Sequence, residues 1–346
     1  MRRTGVAPRS PRSCSRRSSR SLPVVQVLRD ASVAHHPAAG SVVTIGAYDG
    51  VHLGHRTVIG QVADLARAGG HRSVVVTFDR HPASVVRPDS APRLLTDLDQ
   101  KLELLATTGV DDTVVIAFDE ERANESAEDF VRTVLVDFLN TKVVVVGEDF
   151  HFGHRRLGDV ELLEDMGREV GFEVRGLTLV AADGHPARDD EQVSSTAIRR
   201  ALHEGRLDAA NAMLGRPHEM RGPVSHGDQR GRTIGFPTAN VVVSDELLMP
   251  ADGIYAGHLV RDPAGRAEKL PAAIYIGHRP TFYDDQAMTV LEVHVLDFDG
   301  DLYGEHVGVR FTHRLRGDQQ FDSVEALAAQ LQRDCDQARS LLRPAR

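Results

Sequence analysis

The chain between residues 41 and 206 alternates short apolar runs with amphipathic segments. The runs are rich in valine and isoleucine, which is typical of strands that are buried on both faces. This order predicts an α/β domain with a doubly wound, Rossmann-like parallel sheet, in which ligands bind at the carboxyl ends of the strands. The runs cover residues 41–46, 73–78, 112–118, 142–147 and 172–180.

Helical patterns occupy the segments between these runs. The first begins at His55, and the second has Thr96 as its N-cap and ends at Gly109. A third begins at Ser126. The second segment repeats leucine with helical spacing, which predicts an apolar face that packs on the sheet. Its leucines are Leu98, Leu102 and Leu105.

The pattern changes after about residue 215, where a segment rich in glycine and proline leads into short alternating strands. Several short strands with turn signals between them predict a small antiparallel β-barrel. Four strands are expected, at residues 253–260, 271–277, 289–298 and 305–315. A terminal helix should follow, with Asp322 or Ser323 as its cap. Its expected apolar stripe consists of Phe321, Val324, Leu327 and Leu331.

The N-terminus differs in charge from the rest of the chain. The first twenty residues contain seven arginines and no acidic residue, so the formal net charge of -9 becomes -16 for the remainder. Residues 1–24 are therefore expected to form a disordered basic tail, with a nucleic-acid arm or a targeting peptide as alternatives. The acidic body argues against a nucleic-acid partner, which would require clustered lysine and arginine.

No apolar run approaches the roughly 20 residues that a membrane span requires, so no membrane partner is expected. The two cysteines, Cys14 and Cys335, do not suggest a disulfide framework, and a reducing cytoplasm is expected. A chain of 346 residues has room for two cores, which we expect at residues 25–206 and 216–346. Oligomerisation is left open.

The sequence GAYDGVHLGH, residues 46–55, lies between a predicted strand and a predicted helix. Unpaired backbone N–H groups and the helix dipole favour phosphate at such a helix start. His52 and His55 are three residues apart, hence on one side of the first turn, and Gly54 leaves room for a ligand. A metal half-site and two solvated histidines are the alternatives for this spacing.

Three segments, TIGAYDGVHLGH, VVGEDFHFGHRRLGD and VSSTAIRRAL, resemble in this order the nucleotidyltransferase module of bacterial bifunctional riboflavin kinase/FAD synthetase. The resemblance implies that His52 and His55 are catalytic residues that act on the phosphates of ATP. A hydroxyl pair and a guanidinium at the start of a helix also suit phosphate on physical grounds. The residues that bind the nucleotide or its phosphates would be Gly46, Asp49, Gly54, Ser195, Thr196 and Arg199.

The second His-x-Gly-His sequence, at residues 151–154, has a different expected role. The family pattern there is Gly-x-Asp-Phe-x-Phe-Gly, so the resemblance falls on neighbouring residues and the histidines are incidental. We expect this loop to line the nucleotide or flavin cleft, and a purely structural loop is the alternative. The matching residues are Asp149, Phe150 and Phe152. Tyr48 and Arg80 depart from the residues usual in the family, which leaves local packing and loop shape open.

The second candidate site begins in the glycine-rich sequence GDQRGRTIGFPTANV, residues 227–241. Its glycines and arginines can surround phosphates with backbone N–H groups and positive charge. The residues expected to do so are Gly231, Arg232 and Gly235. Thr238 and Asn240 are two apart on an extended segment, so their oxygens share a face and suit Mg²⁺. A plain turn is the alternative.

Glu292 lies on a predicted strand whose alternation turns it away from the apolar face. Such a carboxylate could deprotonate an attacking hydroxyl, and an ordinary solvent-facing glutamate is the alternative. The segments GRTIGFPTAN, ADGIYAG, IGHRPTF and LEVHVLDFDGDLYG resemble the riboflavin kinase module of the same family. The resemblance implies Glu292 as the general base and Thr238 and Asn240 as Mg²⁺ ligands. Tyr275 departs from the asparagine that is usual there.

Together the resemblances imply two successive reactions. In the barrel, ATP would phosphorylate riboflavin to FMN; in the sheet domain, a second ATP would adenylylate FMN to FAD and release pyrophosphate. Mg²⁺ is the implied cofactor. A chain with one active module and a flavin-nucleotide binding protein without turnover are the alternatives, and the second is disfavoured because binding alone has no need of a base.

Overall fold

The structure is a computed structural model, and it describes residues 25–29, 35–177, 193–226, 234–265, 267–279 and 288–343. Residues 1–24, the expected basic tail, lie outside the described residues. The same holds for residues 178–180 of the fifth expected strand and for Gly231 and Arg232 of the glycine-rich sequence.

Six strands of the described residues form the N-terminal sheet. Their bounds are Gln26–Arg29 (β1), Ser41–Ile45 (β2), Arg72–Phe78 (β3), Asp112–Ile116 (β4), Thr141–Gly147 (β5) and Glu173–Leu177 (β6). All neighbours are parallel, in the order β1-β4-β3-β2-β5-β6. Val42 and Val43 belong to different apolar cores, one on each face, so the predicted doubly wound sheet is confirmed.

The two edges of the sheet differ from the sequence-based expectation. The strand β1 was not predicted, and it adds a parallel strand beside β4. The strand β6 was expected to be buried on both faces, but all five of its residues are exposed or half-buried. The reason is its place as the last strand of the sheet, which has a neighbour on one side only.

Eight α-helices of the described residues precede the C-terminal barrel in the chain, and the last two pack their apolar residues into the core of that barrel. Their bounds are Leu53–Gly69 (α1), Pro82–Val86 (α2), Leu98–Ala106 (α3), Glu120–Asn124 (α4), Ala127–Phe130 (α5), Val160–Val170 (α6), Ser195–His203 (α7) and Leu207–Leu214 (α8). After α5 the chain continues as a π-helix over Val131–Phe138. The layers of helix and strand bring the carboxyl ends of the central strands to one edge of the domain.

The observed N-caps of three helices can be compared with the predicted helix starts. Ser126, where the third helical segment was predicted to begin, is the N-cap of α5. The prediction for α3 was wrong by one residue, because the side chain of Asp97, not that of Thr96, accepts the hydrogen bond from the helix. The helix α1 begins two residues before the predicted His55, with His52 as its N-cap.

Six antiparallel strands of the described residues close into the predicted barrel. Their bounds are His218–Ser225 (β7), Ala239–Val241 (β8), Gly253–Arg261 (β9), Glu268–Arg279 (β10), Met288–Val295 (β11) and His306–Arg316 (β12). The closed order is β10-β11-β8-β7-β12-β9. The strands β7 and β8 were not among the four predicted, because proline and glycine interrupt the first and the second is only three residues long.

The terminal helix, Val324–Leu342 (α9), is capped by Ser323, one of the two predicted caps. It packs on the barrel through Cys335 and Ala338. The predicted apolar stripe was wrong at its beginning, since Val324 is 58% exposed. The helix meets the barrel only further along its length.

The barrel packs directly on the sheet domain. Leu94, which precedes α3, forms an isolated parallel β-bridge with Leu247 of the barrel domain. On α3 itself, the carboxylate of Glu103 accepts a hydrogen bond of 2.9 Å from Arg221 of β7. The helix α3 therefore contacts the barrel as well as its own sheet.

Candidate active sites

The turn between β2 and α1 has an unusual backbone. Tyr48 and Val51 have φ angles of 49° and 39°, and Gly50 has 80°. Left-handed backbone at residues other than glycine is strained and is concentrated at functional sites. The ring of Tyr48 is buried and its hydroxyl shares a 2.6 Å hydrogen bond with Thr44. The tyrosine that departs from the family pattern therefore has a local partner.

His52 and His55 lie together at the start of α1. Their rings stack with centroids 3.6 Å apart, and Nδ1 of His52 accepts a 3.3 Å hydrogen bond from the backbone N–H of His55. Burial, followed by the positive charges of Arg216 and Arg199, lowers the pKa of His52 to about 3. Burial also places the pKa of His55 well below its ordinary value, and His52 adds to this effect.

Both rings are therefore neutral at pH 7. Because Nδ1 of His52 accepts a hydrogen bond, its proton resides on Nε2, where it can be donated. Nδ1 of His55 is buried and has no hydrogen-bond partner among the described residues. A buried polar atom without a partner is costly, and an anion at this helix start would provide one.

Asp49 connects this turn to the helix α7. Its buried carboxylate accepts hydrogen bonds from the backbone N–H groups of Leu95 and Thr96, at 2.9 and 3.1 Å. It also pairs with Arg199, and the hydroxyl of Ser195 donates to the backbone carbonyl of Asp49 at 2.9 Å. The structure thus brings the two predicted phosphate-binding segments together. It turns the Asp49 carboxylate toward protein donors, while Thr196 is exposed at the helix start.

The two glycines predicted at this site permit close packing. A Cβ atom on Gly54 would lie 3.1 Å from the carbonyl oxygen of Val193, just before α7. One on Gly46 would lie 3.1 Å from the ring of Tyr48. The missing side chain at Gly54 was expected to leave space for a ligand. It also leaves the space in which the chain leading into α7 packs.

A cavity of about 510 Å³ lies beside this turn. Gly46 and the predicted cleft residues Asp149, Phe150 and Phe152 line it. The two phenylalanine rings stack with centroids 5.4 Å apart and offer an apolar wall. In the second histidine pair, Nδ1 of His151 and Nδ1 of His154 each lie within hydrogen-bond distance of a backbone carbonyl of Asp149 or Ala123.

The loop after β3 is shaped by its own contacts. His81 caps α2 by accepting a 3.1 Å hydrogen bond from the N–H of Ala83. Asp79 accepts one of 2.9 Å from the N–H of Phe118, and Arg80 pairs with Asp79 at the surface. Arg80, which departs from the family pattern, therefore forms an ion pair within this loop.

Sequence reasoning missed two cations at this site. Lys101 of α3 is 7% exposed, and its ammonium donates to backbone carbonyls at the ends of β2 and β3. Arg216, which follows α8, donates to the carbonyls of Gly50 and Val51 at 2.7 and 3.4 Å. For Lys101, the available sequence signal was a lysine near the start of a predicted helix. For Arg216, the sequence carried no signal.

The barrel residues singled out from the sequence come together at one place. The hydroxyl of Thr238 donates to Oε2 of Glu292 at 3.2 Å. Glu292 pairs in register with Asn240 of β8 on one side and with Tyr275 of β10 on the other. Directly paired residues share a face of the sheet, so a carboxylate, an amide and a phenol lie in one row, and the hydroxyl of Thr238 is hydrogen-bonded to its carboxylate.

A cavity of about 400 Å³ adjoins this row. Thr238 and Asn240 line it, together with the loop from Phe298 to Tyr303. The described residues contain no group of three or more His, Cys, Asp or Glu side chains that could hold a metal ion. The hydroxyl, amide and carboxylate oxygens here still fit Mg²⁺, because this cation takes few protein ligands and completes its shell with phosphate and water. Gly235, three residues before Thr238, has φ 87° and is exposed.

A parallel-sheet domain with two stacked histidines at a helix start, joined to a barrel with a carboxylate beside a hydroxyl and an amide, fits a two-domain nucleotide-dependent transferase. The FAD synthetase family model matches residues 34–197, and the riboflavin kinase family model matches residues 214–342. The chain belongs to the bifunctional riboflavin kinase/FMN adenylyltransferase family. The family membership predicted from the motifs is thereby confirmed.

Relatives named bifunctional riboflavin kinase/FMN adenylyltransferase match along most of their length. That of Escherichia coli strain K12 is 39% identical over 304 residues, which are 88% of this chain and 93% of the relative. That of Listeria monocytogenes is 39% identical, with 87% and 94% covered, and that of Bacillus subtilis is 34% identical, with 87% and 92% covered.

A crystal structure from Streptococcus pneumoniae, solved under the name macrolide-efflux protein, has the same fold as this chain. Its TM-score is 0.78 at 31% identity, and the match covers 91% of this chain and 99% of that one. Among the described residues of the present chain, no helix is both long and apolar enough to span a bilayer.

Proposed function

We propose that this chain makes FAD from riboflavin in two ATP-dependent steps. The barrel domain, residues 216–346, phosphorylates riboflavin to FMN, and the sheet domain, residues 25–206, adenylylates FMN. The observation that carries this proposal is the contact of Thr238 with Glu292, in a chain that also stacks His52 on His55. Relatives with both activities in their names, matched over nearly their full length, support it.

In the first step, Glu292 accepts the proton of the ribityl 5′-hydroxyl of riboflavin. The freed oxygen attacks the γ-phosphorus of ATP, the bond to the β-phosphate oxygen breaks, and ADP leaves. Thr238 holds the carboxylate in place by its hydrogen bond, so that one oxygen faces the hydroxyl. This in-line displacement depends on positioning and on charge neutralisation.

Mg²⁺ fits the first site through the oxygens of Thr238 and Asn240, and it would neutralise the charge of the ATP phosphates. The side chains leave most of its coordination to phosphate and water. Their own part is to fix the place of the phosphates relative to Glu292.

In the second step, a phosphate oxygen of FMN attacks the α-phosphorus of a second ATP, and pyrophosphate leaves. The neutral rings of His52 and His55 donate hydrogen bonds to the charge that develops on the phosphates. Ser195, Thr196 and Arg199 face the same phosphates from the start of α7. The stacked rings of Phe150 and Phe152 line the cleft that takes the flavin or the nucleotide. We place both steps in the cytoplasm, where ATP is available.

The test is a chromatographic time course of the purified chain with riboflavin, ATP and Mg²⁺. FMN that rises before FAD is the expected result. With His52→Ala, FMN should still form while FAD formation falls by about 10²–10³-fold, because a donor to developing charge is lost. With Glu292→Ala, FMN formation should fail while supplied FMN is still converted to FAD.

Three results would contradict the proposal in different ways. Wild-type chain that forms FMN alone would limit the activity to the barrel. Flavin that binds without any product would indicate a binding protein. Loss of both activities by either substitution in a folded protein would mean that the two reactions are not assigned to separate sites.

A further inference from the structure

Lys101 is a buried cation in the second turn of α3, four residues after the N-cap Asp97. The helix dipole disfavours a positive charge near a helix start, and burial removes it from water. A lysine in this position therefore needs compensating contacts. Its Nζ donates to the carbonyl oxygen of Phe78 at 2.7 Å and to that of Ala47 at 3.3 Å.

The two carbonyls lie at the carboxyl ends of neighbouring parallel strands. Phe78 is the last residue of β3, and Ala47 follows the end of β2 by two residues. The carbonyl of Ala47 also accepts a 3.2 Å hydrogen bond from the hydroxyl of Thr77. One chain segment leads from here to His52 and the other leads to His81. The ammonium of Lys101 thus links the starts of the two loops that border the proposed adenylyl-transfer site.

Charged and titratable groups surround Lys101 from each packed element. Asp49 acts on it from the turn after β2, and Asp79 acts from the loop after β3. Its charge in turn acts on His55 of α1 and His81 of α2. Arg199 of α7 is already paired with Asp49.

Burial lowers the pKa of Lys101 to about 8, against the opposing effect of the two carboxylates. The side chain is therefore a cation at pH 7 and loses its charge just above the physiological range. Its effect on the site can for this reason be followed by pH.

We infer that Lys101 is a positioning residue for adenylyl transfer, which holds the ends of β2 and β3 together and thereby fixes the His52 turn against the loop of His81. This inference rests on the function proposed for the sheet domain. Lys101 acts through hydrogen bonds to backbone carbonyls, whereas the histidines are proposed to contact the phosphates. Displacement of a phosphate-binding turn by about 1 Å is enough to slow a reaction 10²-fold.

The test compares Lys101→Met and Lys101→Arg with wild type in the full chain. FAD formation from supplied FMN is measured as kcat and as KM for ATP, and FMN formation from riboflavin serves as the internal reference. We expect Lys101→Met to lower kcat for FAD about 10- to 100-fold and to leave FMN formation within about twofold. Lys142→Met, at an exposed lysine of β5, is the matched control and should change neither rate.

The pH profile separates positioning from mere stabilisation. The kcat for FAD formation by wild type should fall above about pH 8, as Lys101 loses its proton. Lys101→Arg should recover most of the rate and move this fall to higher pH, since a guanidinium stays charged. FMN formation should keep its own profile in both proteins.

Several outcomes would overturn the inference. It fails if wild type forms FAD and Lys101→Met keeps kcat within twofold, or if Lys101→Arg keeps the fall near pH 8. It also fails if Lys101→Met loses both activities in parallel with its resistance to urea, because the lysine would then be structural. A wild-type chain that forms no FAD would instead overturn the proposed function, and this inference with it.

Discussion

Arg199 of α7 donates to the buried carboxylate of Asp49 across 2.5 Å, although 150 positions of sequence separate the two residues. The same carboxylate accepts from the backbone N–H groups of Leu95 and Thr96, in the segment before α3. One side chain therefore joins three segments of the chain: the turn before α1, the approach to α3 and the first turns of α7. These are the segments that border the proposed adenylyl-transfer site.

Asp49→Ala should destabilise the protein by about 3–5 kcal/mol, because it leaves the guanidinium of Arg199 and two backbone N–H groups without their partner. Urea denaturation measures the change in the free energy of unfolding. The matched control is Asp64→Ala, which breaks an exposed pair with Arg67 and should cost less than about 1 kcal/mol. Equal losses in the two variants would show that the Asp49 network has no special role in stability.

Thr238→Val should slow FMN formation about 10- to 100-fold, because it removes the donor to Glu292 and one oxygen of the proposed Mg²⁺ site. The Mg²⁺ concentration for half-maximal rate should also rise. Thr238→Ser keeps the hydroxyl and should restore most of the rate. Steady-state kinetics of both variants measure these effects, with FAD formation from supplied FMN as the reference. Equal rates of FMN formation by Thr238→Val and Thr238→Ser would contradict the assignment.

Three histidines whose pKa values are lowered in the folded protein should make stability fall with acidification. The pKa is lowered to about 3 for His52 and to about 4 for His218, in both cases chiefly by burial, and that of His55 is lowered well below its ordinary value. In the unfolded chain these rings take up protons near pH 6.5. Between that pH and about 4 the unfolded state therefore binds more protons than the folded state, and stability falls as pH falls.

Urea titrations at a series of pH values from 7.5 to 5 measure this dependence. Stabilisation should be complete above pH 6.5, and each buried ring should account for a loss of up to about 2 kcal/mol by pH 5. His218→Phe should reduce the slope by removing one such ring, and the same substitution at the exposed His306 is the control. A slope that His218→Phe leaves unchanged would show that this ring does not contribute.

Tyr48→Phe tests how the chain accommodates its departure from the family pattern. The hydroxyl of Tyr48 is buried against that of Thr44, so its loss should cost about 1 kcal/mol of unfolding free energy. FAD formation should stay within about twofold, because the ring that contacts His55 is kept. A double-mutant cycle with Thr44→Val should give a coupling energy of about 0.5–1.5 kcal/mol, which is the usual net contribution of one hydrogen bond. Zero coupling would contradict the pairing of these hydroxyls.

The sequence predicted the structure correctly wherever burial imposes a regular spacing of apolar residues. Continuous valine runs such as residues 73–78 can be covered only between two layers of helices, and the parallel sheet follows from that. The alternation around Glu292 likewise turned it to the face that Asn240 shares. Periodicity failed at the sheet edge β6 and at the short strand β8, where few residues are in contact and the pattern carries little information.

The sequence by itself determined the two domain types, the helix start at the histidine turn and the candidate residues of both sites, because these depend on local spacing and on motifs. Only the tertiary structure decided which distant groups meet. Lys101, Arg216 and Asp49 have their roles through backbone carbonyls and N–H groups of other segments, and a backbone group carries no signature in the sequence. Hydrogen bonds between remote segments form only when packing of the apolar faces has fixed the segments in place.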